Sequence, residues 1–347
     1  MIDLLKIAAA ALTLMGGMNA MAQAPTTALA EDTTTPDSAT PAMWRITDAD
    51  SEFILLGTFH FLPPELNWRT DAIEGAIAAA DVIYFELEAD APDFQSKAIS
   101  AMMLNGLYPP GEHISDTLTP DEIYKLREIT NSLGLLFSGI DAMRPWRAAL
   151  SLEIQYVLSQ GLQPGAGVEH ILLSEARTLG KELRFFETVE QQFSMFSNLS
   201  PETERAYLLF TLNHWPKYKQ SLWTLYDAWK TGDTSAIDQL MNEDDSVQTP
   251  EFFQTVIIDR NEAWAEEIAN AMNEGAGNAL IAVGVGHLVG DEYSVPALLK
   301  AKGFKVSRYG LDKIIQTDIP AGEPANDNAA VEDDIGVLLE AINENRP

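Results

Sequence analysis

Phe53-Ile-Leu-Leu-Gly-Thr-Phe-His60 and Leu280-Ile-Ala-Val-Gly-Val-Gly-His287 are two versions of one phrase, set far apart in a chain of 347 residues. Each is an apolar run long enough for one buried strand, and each ends in Gly-x-x-His. An unbroken apolar run suits a strand of a parallel sheet covered on both faces. A turn at Gly57 or Gly284 then presents the imidazole to the crevice at the carboxyl edge of that sheet. If the two strands lie in one sheet and run in parallel, His60 and His287 emerge at the same edge. Neutral imidazole is the commonest protein metal ligand, so two at one edge point to a cation site.

Working outward, each phrase opens a βαβ pattern. The first is Phe53 to Leu56, a helix from about Thr70 to Ala80, and the strand Val82-Ile-Tyr-Phe-Glu-Leu-Glu88. The second is Ala279 to Val283, a helix from about Val295 to Ala301, and a strand over Gly303 to Tyr309, with Gly303 at the helix C-cap. Between them lies a long helical middle. Thr119 and Glu122 have the spacing of a capping box for a helix over Pro120 to Leu133. Leu222, Leu225, Tyr226 and Trp229 follow helical spacing before a stop at Gly232, and such a stripe reads as core. Ala166 to Leu179 reads as a further helix and Glu182 to Glu187 as a short strand. The fold class is α/β, two βαβ units flanking a helical middle, with Gly-x-x-His turns at one edge of the sheet.

Composition limits the chemistry. Fifty-two acidic residues against 22 basic ones give a formal charge of −30, which repels nucleic acid and anionic lipid alike. Cysteine is absent, so disulfides and thiolate ligands are excluded, and any metal must be held by His, Asp or Glu. Near the start, Lys6 precedes the apolar run Ile7 to Met15, and Ala20-Met21-Ala22 has the small-x-small form of a signal-peptidase site. The run is shorter than the roughly 20 residues of a spanning helix, and Gly16, Gly17 and Asn19 interrupt it. Residues 1–22 are therefore expected to be a secretory signal cut after Ala22, leaving a periplasmic or secreted protein with no stable membrane insertion. Residues 23–41 read as a disordered leader, 42–318 as the folded domain, and 319–347 as a mostly disordered acidic tail.

The third candidate for the cation site is Glu86. Its strand is apolar on both sides, so a carboxylate there is costly unless it meets a cation or hydrogen-bond donors. Alternation places Glu88 on the same face. His60, Glu86 and His287 make an ordinary ligand set for Zn²⁺, Mn²⁺ or Co²⁺ with positions left for water, and such a site supports hydrolysis. Whether Glu86 is a ligand or a general base stays open. Arg260, three residues after Ile257 and four before Trp264, borders a buried helix face and suits either a substrate carboxylate or oxyanion or a neighbouring acid. The chain has no Gly-x-Ser-x-Gly elbow, P-loop, His-Glu-x-x-His or Rossmann fingerprint.

From about Trp44 to Tyr309 the chain resembles the TraB/GumN (TraB/PrgY/GumN) family, to which Tiki-type metalloproteases are related. The resemblance rests on Leu56-Gly-Thr-Phe-His60 with Leu62-Pro63, Phe85-Glu-Leu-Glu88, Arg144-Pro-Trp146, Gly167-Val-Glu169, Phe186-Glu-Thr188 with Gln192, Trp229 with Gly232-Asp233, Arg260-Asn261 with Trp264, and Val283-Gly-Val-Gly-His287. It implies an erythromycin-esterase-like or ChaN-like fold and a divalent metal site at His60, Glu86 and His287, with Arg260, Glu187 and Asn261 in support. The expected function is metal-dependent hydrolysis of a peptide or another amide or ester. The alternatives are an envelope protein that sequesters a peptide or metal-bearing ligand, and a fold in which both histidines are structural.

Overall fold

The computed structural model describes residues 38–242, 250–275 and 277–310. The signal, most of the leader and the acidic tail expected from the sequence lie outside these residues. Residues 38–41, assigned to the leader by composition, are packed: Ala39 is buried, its amide donates to Asn67 O at 2.7 Å, and the Thr40 amide donates to Lys230 O at 2.7 Å. Among the described residues no helix is long and apolar enough to cross a membrane.

The protein is of mixed α/β architecture. Six strands, β1 (Met43–Thr47), β2 (Glu52–Thr58), β3 (Val82–Phe85), β4 (Glu182–Phe185), β5 (Asn278–Gly284) and β6 (Lys305–Arg308), form one sheet in the order β4-β3-β5-β2-β1-β6. β2, β5, β3 and β4 run in parallel, whereas β1 is antiparallel to both β2 and β6. The central strands are buried along almost their whole length, as a parallel sheet covered on both faces requires. The edge strands β4 and β6 alternate between exposed and half-buried positions.

This arrangement corrects the picture of two separate βαβ units. The strands of each unit are not neighbours: β5 lies between β2 and β3, and β6 joins the sheet through β1 at its far edge. The physical reason is that β5 is apolar on both faces and needs strand partners on both sides, which β2 and β3 supply. The interleaving sets β2 beside β5 with Gly57 opposite Val283 and Thr58 opposite Gly284. The strand begun at Val82 also ends sooner than its apolar pattern suggested, at Phe85.

The helices follow their local signals closely. Pro120–Ser132 is capped by Thr119, which exchanges hydrogen bonds with Glu122. Pro201–Thr231 buries Leu222, Leu225, Tyr226 and Trp229 and ends at Gly232, whose φ of 67° is left-handed. Its Trp229 also donates from Nε1 to Gly57 O at 2.9 Å, tying the helix to the first glycine turn.

A second tie is made by close approach. Gly167, just before the helix Val168–Thr178, sits against the backbone of His60, and a Cβ there would lie 2.2 Å from His60 O. The Val168 amide donates to Phe59 O at 3.1 Å across the same contact. Since the obstructing atom is backbone, a side chain at 167 must push the two segments apart. Gly167→Ala is expected to destabilise the protein by about 1–3 kcal/mol or more. Thermal or urea denaturation checks this, and a variant as stable as the parent would show that the contact yields freely.

Candidate functional site

Four parallel strands deliver four side chains to one edge. His60 follows β2, Glu86 is the first residue past β3, Glu187 lies two residues past β4, and His287 closes a single 3-10 turn, Val285–His287, after β5. Helix starts supply the rest: Arg260 and Asn261 from the first turn of Asp259–Asn273, and Glu169 from the first turn of Val168–Thr178. His60, Glu86, Glu169, Arg260 and His287 are each no more than 6% exposed. Both imidazoles lie beside Gly284, where a Cβ would be 3.3 Å from His60 Nε2 and 3.7 Å from His287 Cδ2.

Arg260 is the hub. Its Nε and Nη2 donate to the two oxygens of Glu187 at 2.6 and 3.0 Å, and Nη2 donates also to Glu86 Oε2 at 2.7 Å. Nη1 donates to Val256 O at 3.3 Å and faces His287 Nε2 at 2.9 Å. A guanidinium has five N–H donors, and these five contacts use them all. Its plane also lies over the Trp264 ring, 4.6 Å from the centroid. The π-helical turn Gln254–Ile258 ahead of this helix leaves Val256 O available to the side chain of Arg260.

The tautomer of His287 follows from its neighbours. Asn261 Nδ2 donates to Tyr293 O at 2.8 Å, so Asn261 Oδ1 is the acceptor at 2.6 Å from His287 Nδ1. Nδ1 therefore carries the hydrogen, and the Nε2 lone pair receives Arg260. Burial, and then the Arg260 charge, depress the His287 pKa to about 3.

The carboxylates divide by environment. Burial alone would raise Glu86, but Arg260 and then the neighbouring histidines outweigh it, and with the Gly284 amide at 2.8 Å they hold it at about 2. At Glu187 burial prevails over the pull of Arg260 and the pKa is raised. Glu169 accepts from Thr58 Oγ1 with one oxygen, and its Oε2 lies 3.0 Å from His60 Nδ1. That approach is close without hydrogen-bond geometry, and both atoms are buried with no hydrogen-bond partner. Burial lowers the His60 pKa, but the Glu169 carboxylate and then Glu86 overcome it, so the value is raised.

Two buried atoms without a hydrogen bond, one from an imidazole and one from a carboxylate, lie beside a second carboxylate, Glu86, and the three residues could hold a cation. Donor atoms of His60, Glu86 and Glu169 all lie within 4.8 Å of one another. These residues line a cavity of about 20 Å³, shared with Leu87, Leu173 and Gln192, which is room for one water or one ion. The donor set, one imidazole and two carboxylates, suits a borderline or hard divalent ion.

Of the residues expected from the sequence, the structure brings together His60, Glu86, Glu187, Arg260, Asn261, His287 and Gly284. His287, expected as a ligand, has both ring nitrogens engaged by Asn261 and Arg260. Gly57 acts through its carbonyl, and a Cβ there would meet Val285 Cγ2 at 2.8 Å. Glu88 lies apart, exposed and paired with Arg177, because the strand ends at Phe85 and alternation no longer governs position 88. Glu169 is a site residue that the sequence reading did not place in the site. Its signal was present: positions 169, 172, 173 and 176 form the buried stripe of the helix, and a glutamate heads that stripe.

Comparison with known proteins agrees with the resemblance drawn from the sequence. The model of the TraB/PrgY/gumN family matches residues 42–308. An uncharacterized protein YbaP of Escherichia coli (strain K12) is 22% identical over 265 residues, covering 75% of this chain and 92% of its own. An uncharacterized protein YbaP of Shigella flexneri is 25% identical over 197 residues, 55% of this chain and 70% of its own. No solved structure matches.

The depressed His287 pKa makes acid stability a test of this geometry in metal-free protein. Below pH 6.5 the unfolded chain takes up a proton that folded His287 refuses, so stability falls as pH drops from 6.5 towards 3. Glu86 acts in the same sense lower down, its contribution present above pH 4.5 and lost towards 2. His60 and Glu187, both raised, run the other way, losing their contribution as pH rises through their folded values. The stability of His287→Asn should therefore fall less steeply than that of the parent between pH 6.5 and 4.5 in urea denaturation. Equal slopes would show that His287 is not held neutral by Arg260.

Proposed function

The chain belongs to the TraB/PrgY/gumN family, and on that footing we propose that its buried His60, Glu86 and Glu169 hold a divalent cation in a hydrolase acting on a peptide or another amide or ester. The observation that carries this reading is the pair of buried atoms, His60 Nδ1 and Glu169 Oε2, which face each other at 3.0 Å without a hydrogen bond, beside Glu86 at one small cavity. A buried polar atom without a partner costs about 1–3 kcal/mol, more when charged. Two so placed are explained by a bound cation, which both would face. Three acidic side chains, Glu86, Glu169 and Glu187, also share the cluster with one permanent cation, Arg260, and the titratable His60.

A divalent ion there supplies Lewis acidity, lowering the pKa of water and polarising a carbonyl. The protein's own part is orientation. Arg260 has no donor to spare for a substrate, so it serves as a positioning residue that fixes Glu86 and Glu187. His287, neutral and pinned by Asn261, completes the frame around Arg260. Thr58 orients Glu169 from β2. The erythromycin-esterase-like or ChaN-like kinship belongs with this proposal, supported by His60 and His287 both lying beside Gly284. So does a place in the periplasm or outside the cell, supported by the signal pattern ending at Ala22.

A second reading is favoured by the cavity itself. At about 20 Å³ it admits an ion or a water but no substrate group. The same residues therefore also suit a protein that binds a metal, or a ligand bearing one, without turnover. Calorimetric titration of EDTA-treated protein with Zn²⁺, Mn²⁺ and Co²⁺ tests what both readings share. One ion per chain is expected, with affinity at least about tenfold weaker in His60→Ala and in Glu169→Gln. Absence of binding in the parent contradicts both. Peptide and ester cleavage that appears only with metal, and is lost in His60→Ala, selects the hydrolase; metal binding with no cleavage selects the sequestering protein. Export has its own check: amino-terminal sequencing of the mature protein should begin at Gln23, and retention of Met1 would contradict it.

A further inference from the structure

Gln192 is completely buried, yet neither its Oε1 nor its Nε2 has a hydrogen-bond partner. It stands on the helix Val189–Ser197, whose start is fixed by the reciprocal Thr188 and Gln191 cap. Val189, Gln192, Phe193 and Phe196 form the buried stripe, so an amide occupies a place where spacing alone calls for an aliphatic side chain. Two buried carboxylates on other helices are satisfied: Glu153 accepts from Tyr207 and Thr211, each at 2.8 Å, and Glu204 accepts from Arg144 Nε at 3.2 Å, whereas Trp146 Nε1 and Arg147 Nε share the lack of a partner with Gln192. Gln192 differs in what it borders. It lines the same small cavity as His60, Glu86 and Glu169.

Four unpartnered buried atoms, His60 Nδ1, Glu169 Oε2 and the two amide atoms of Gln192, thus belong to three residues around one space. An apolar side chain of similar shape in place of an unsatisfied amide is neutral or stabilising. The amide therefore has its use when the cavity is filled. A bare cation engages only its oxygen, whereas water both donates and accepts.

We infer that Gln192 is a positioning residue that holds a single water in the small cavity, next to an ion seated among the donor atoms of His60, Glu86 and Glu169, with Oε1 accepting one of the hydrogens of that water. Accepting that hydrogen turns the lone pairs of the water away from Gln192 and towards the rest of the cavity. This inference rests on the cation site proposed above, and it adds a residue that neither the ligand set nor the Arg260 network includes.

The test compares wild type, Gln192→Met and Gln192→Glu by Co²⁺ titration and by thermal denaturation in EDTA. Gln192→Met is expected to melt in EDTA at or above the wild-type temperature, because an unsatisfied amide has been removed, while binding Co²⁺ about 10–100-fold more weakly. Gln192→Glu keeps the acceptor oxygen and should bind Co²⁺ more tightly than Gln192→Met. Wild-type affinity in Gln192→Met overturns the inference, as does affinity in Gln192→Glu no better than in Gln192→Met. A lower melting temperature of Gln192→Met in EDTA also overturns it, since it would mark a packing role. A wild type that binds no Co²⁺ removes the cation site itself and this inference with it, an outcome told apart from the others by the wild-type titration alone.

Discussion

The Arg260 guanidinium, buried with all five donors engaged, is the contact on which the rest of the site depends. A charge so far from water is tolerable only among partners that satisfy it fully, and breaking such an arrangement by removing one member leaves the others uncompensated. Its partners come from β3, β4, β5 and the preceding helical turn, so one side chain fastens four pieces of chain that are distant in sequence. It also sets their ionisation. Its positive charge holds Glu86 as a carboxylate against the cost of burial, and adds to burial in keeping His287 neutral.

Beyond the reach of that guanidinium the balance reverses. Glu169 is turned towards His60 and has no direct contact with Arg260, and it draws a proton onto the imidazole. The cluster thus has two halves: one in which carboxylate and guanidinium neutralise each other, and one in which imidazole and carboxylate face a small cavity. The second half is where His60, Glu86 and Glu169 could hold a cation. Glu169 gains from its seat in the first turn of Val168–Thr178, where the helix dipole favours negative charge. That seat is held in register by Gly167, the only residue type that fits against the His60 carbonyl.

Much of this was readable beforehand, and the divisions have physical causes. The two Gly-x-x-His phrases announced themselves because a doubly covered strand must be apolar throughout, which leaves its polar terminus conspicuous. Glu86 was legible for the same reason. Thr119, Gly232 and Gly303 marked helix ends because caps are local chemistry. Pairing order was not legible: nothing local in β5 says that it separates β2 from β3, since strand neighbours are chosen by packing across the whole chain. β1, with Trp44, Arg45 and Ile46, carries an exposed arginine on a short strand and resembled the mere start of the domain. Glu88 was misplaced because alternation holds only while a strand lasts. Glu169 and Gln192 stand in the quoted motifs, yet their place as polar intruders on buried helical stripes follows from the helical spacing that was applied to Arg260 and not to them.

The Glu169 and Glu86 carboxylates raise the proton affinity of His60, and a divalent cation bound at that imidazole would compete with the proton. Proton release measured by titrating Co²⁺ or Zn²⁺ into metal-free protein at pH 6.5, in buffers of different ionisation enthalpy, tests this directly. Net proton release on ion binding, diminished in His60→Gln, is the predicted result. Binding with no proton released would contradict the account.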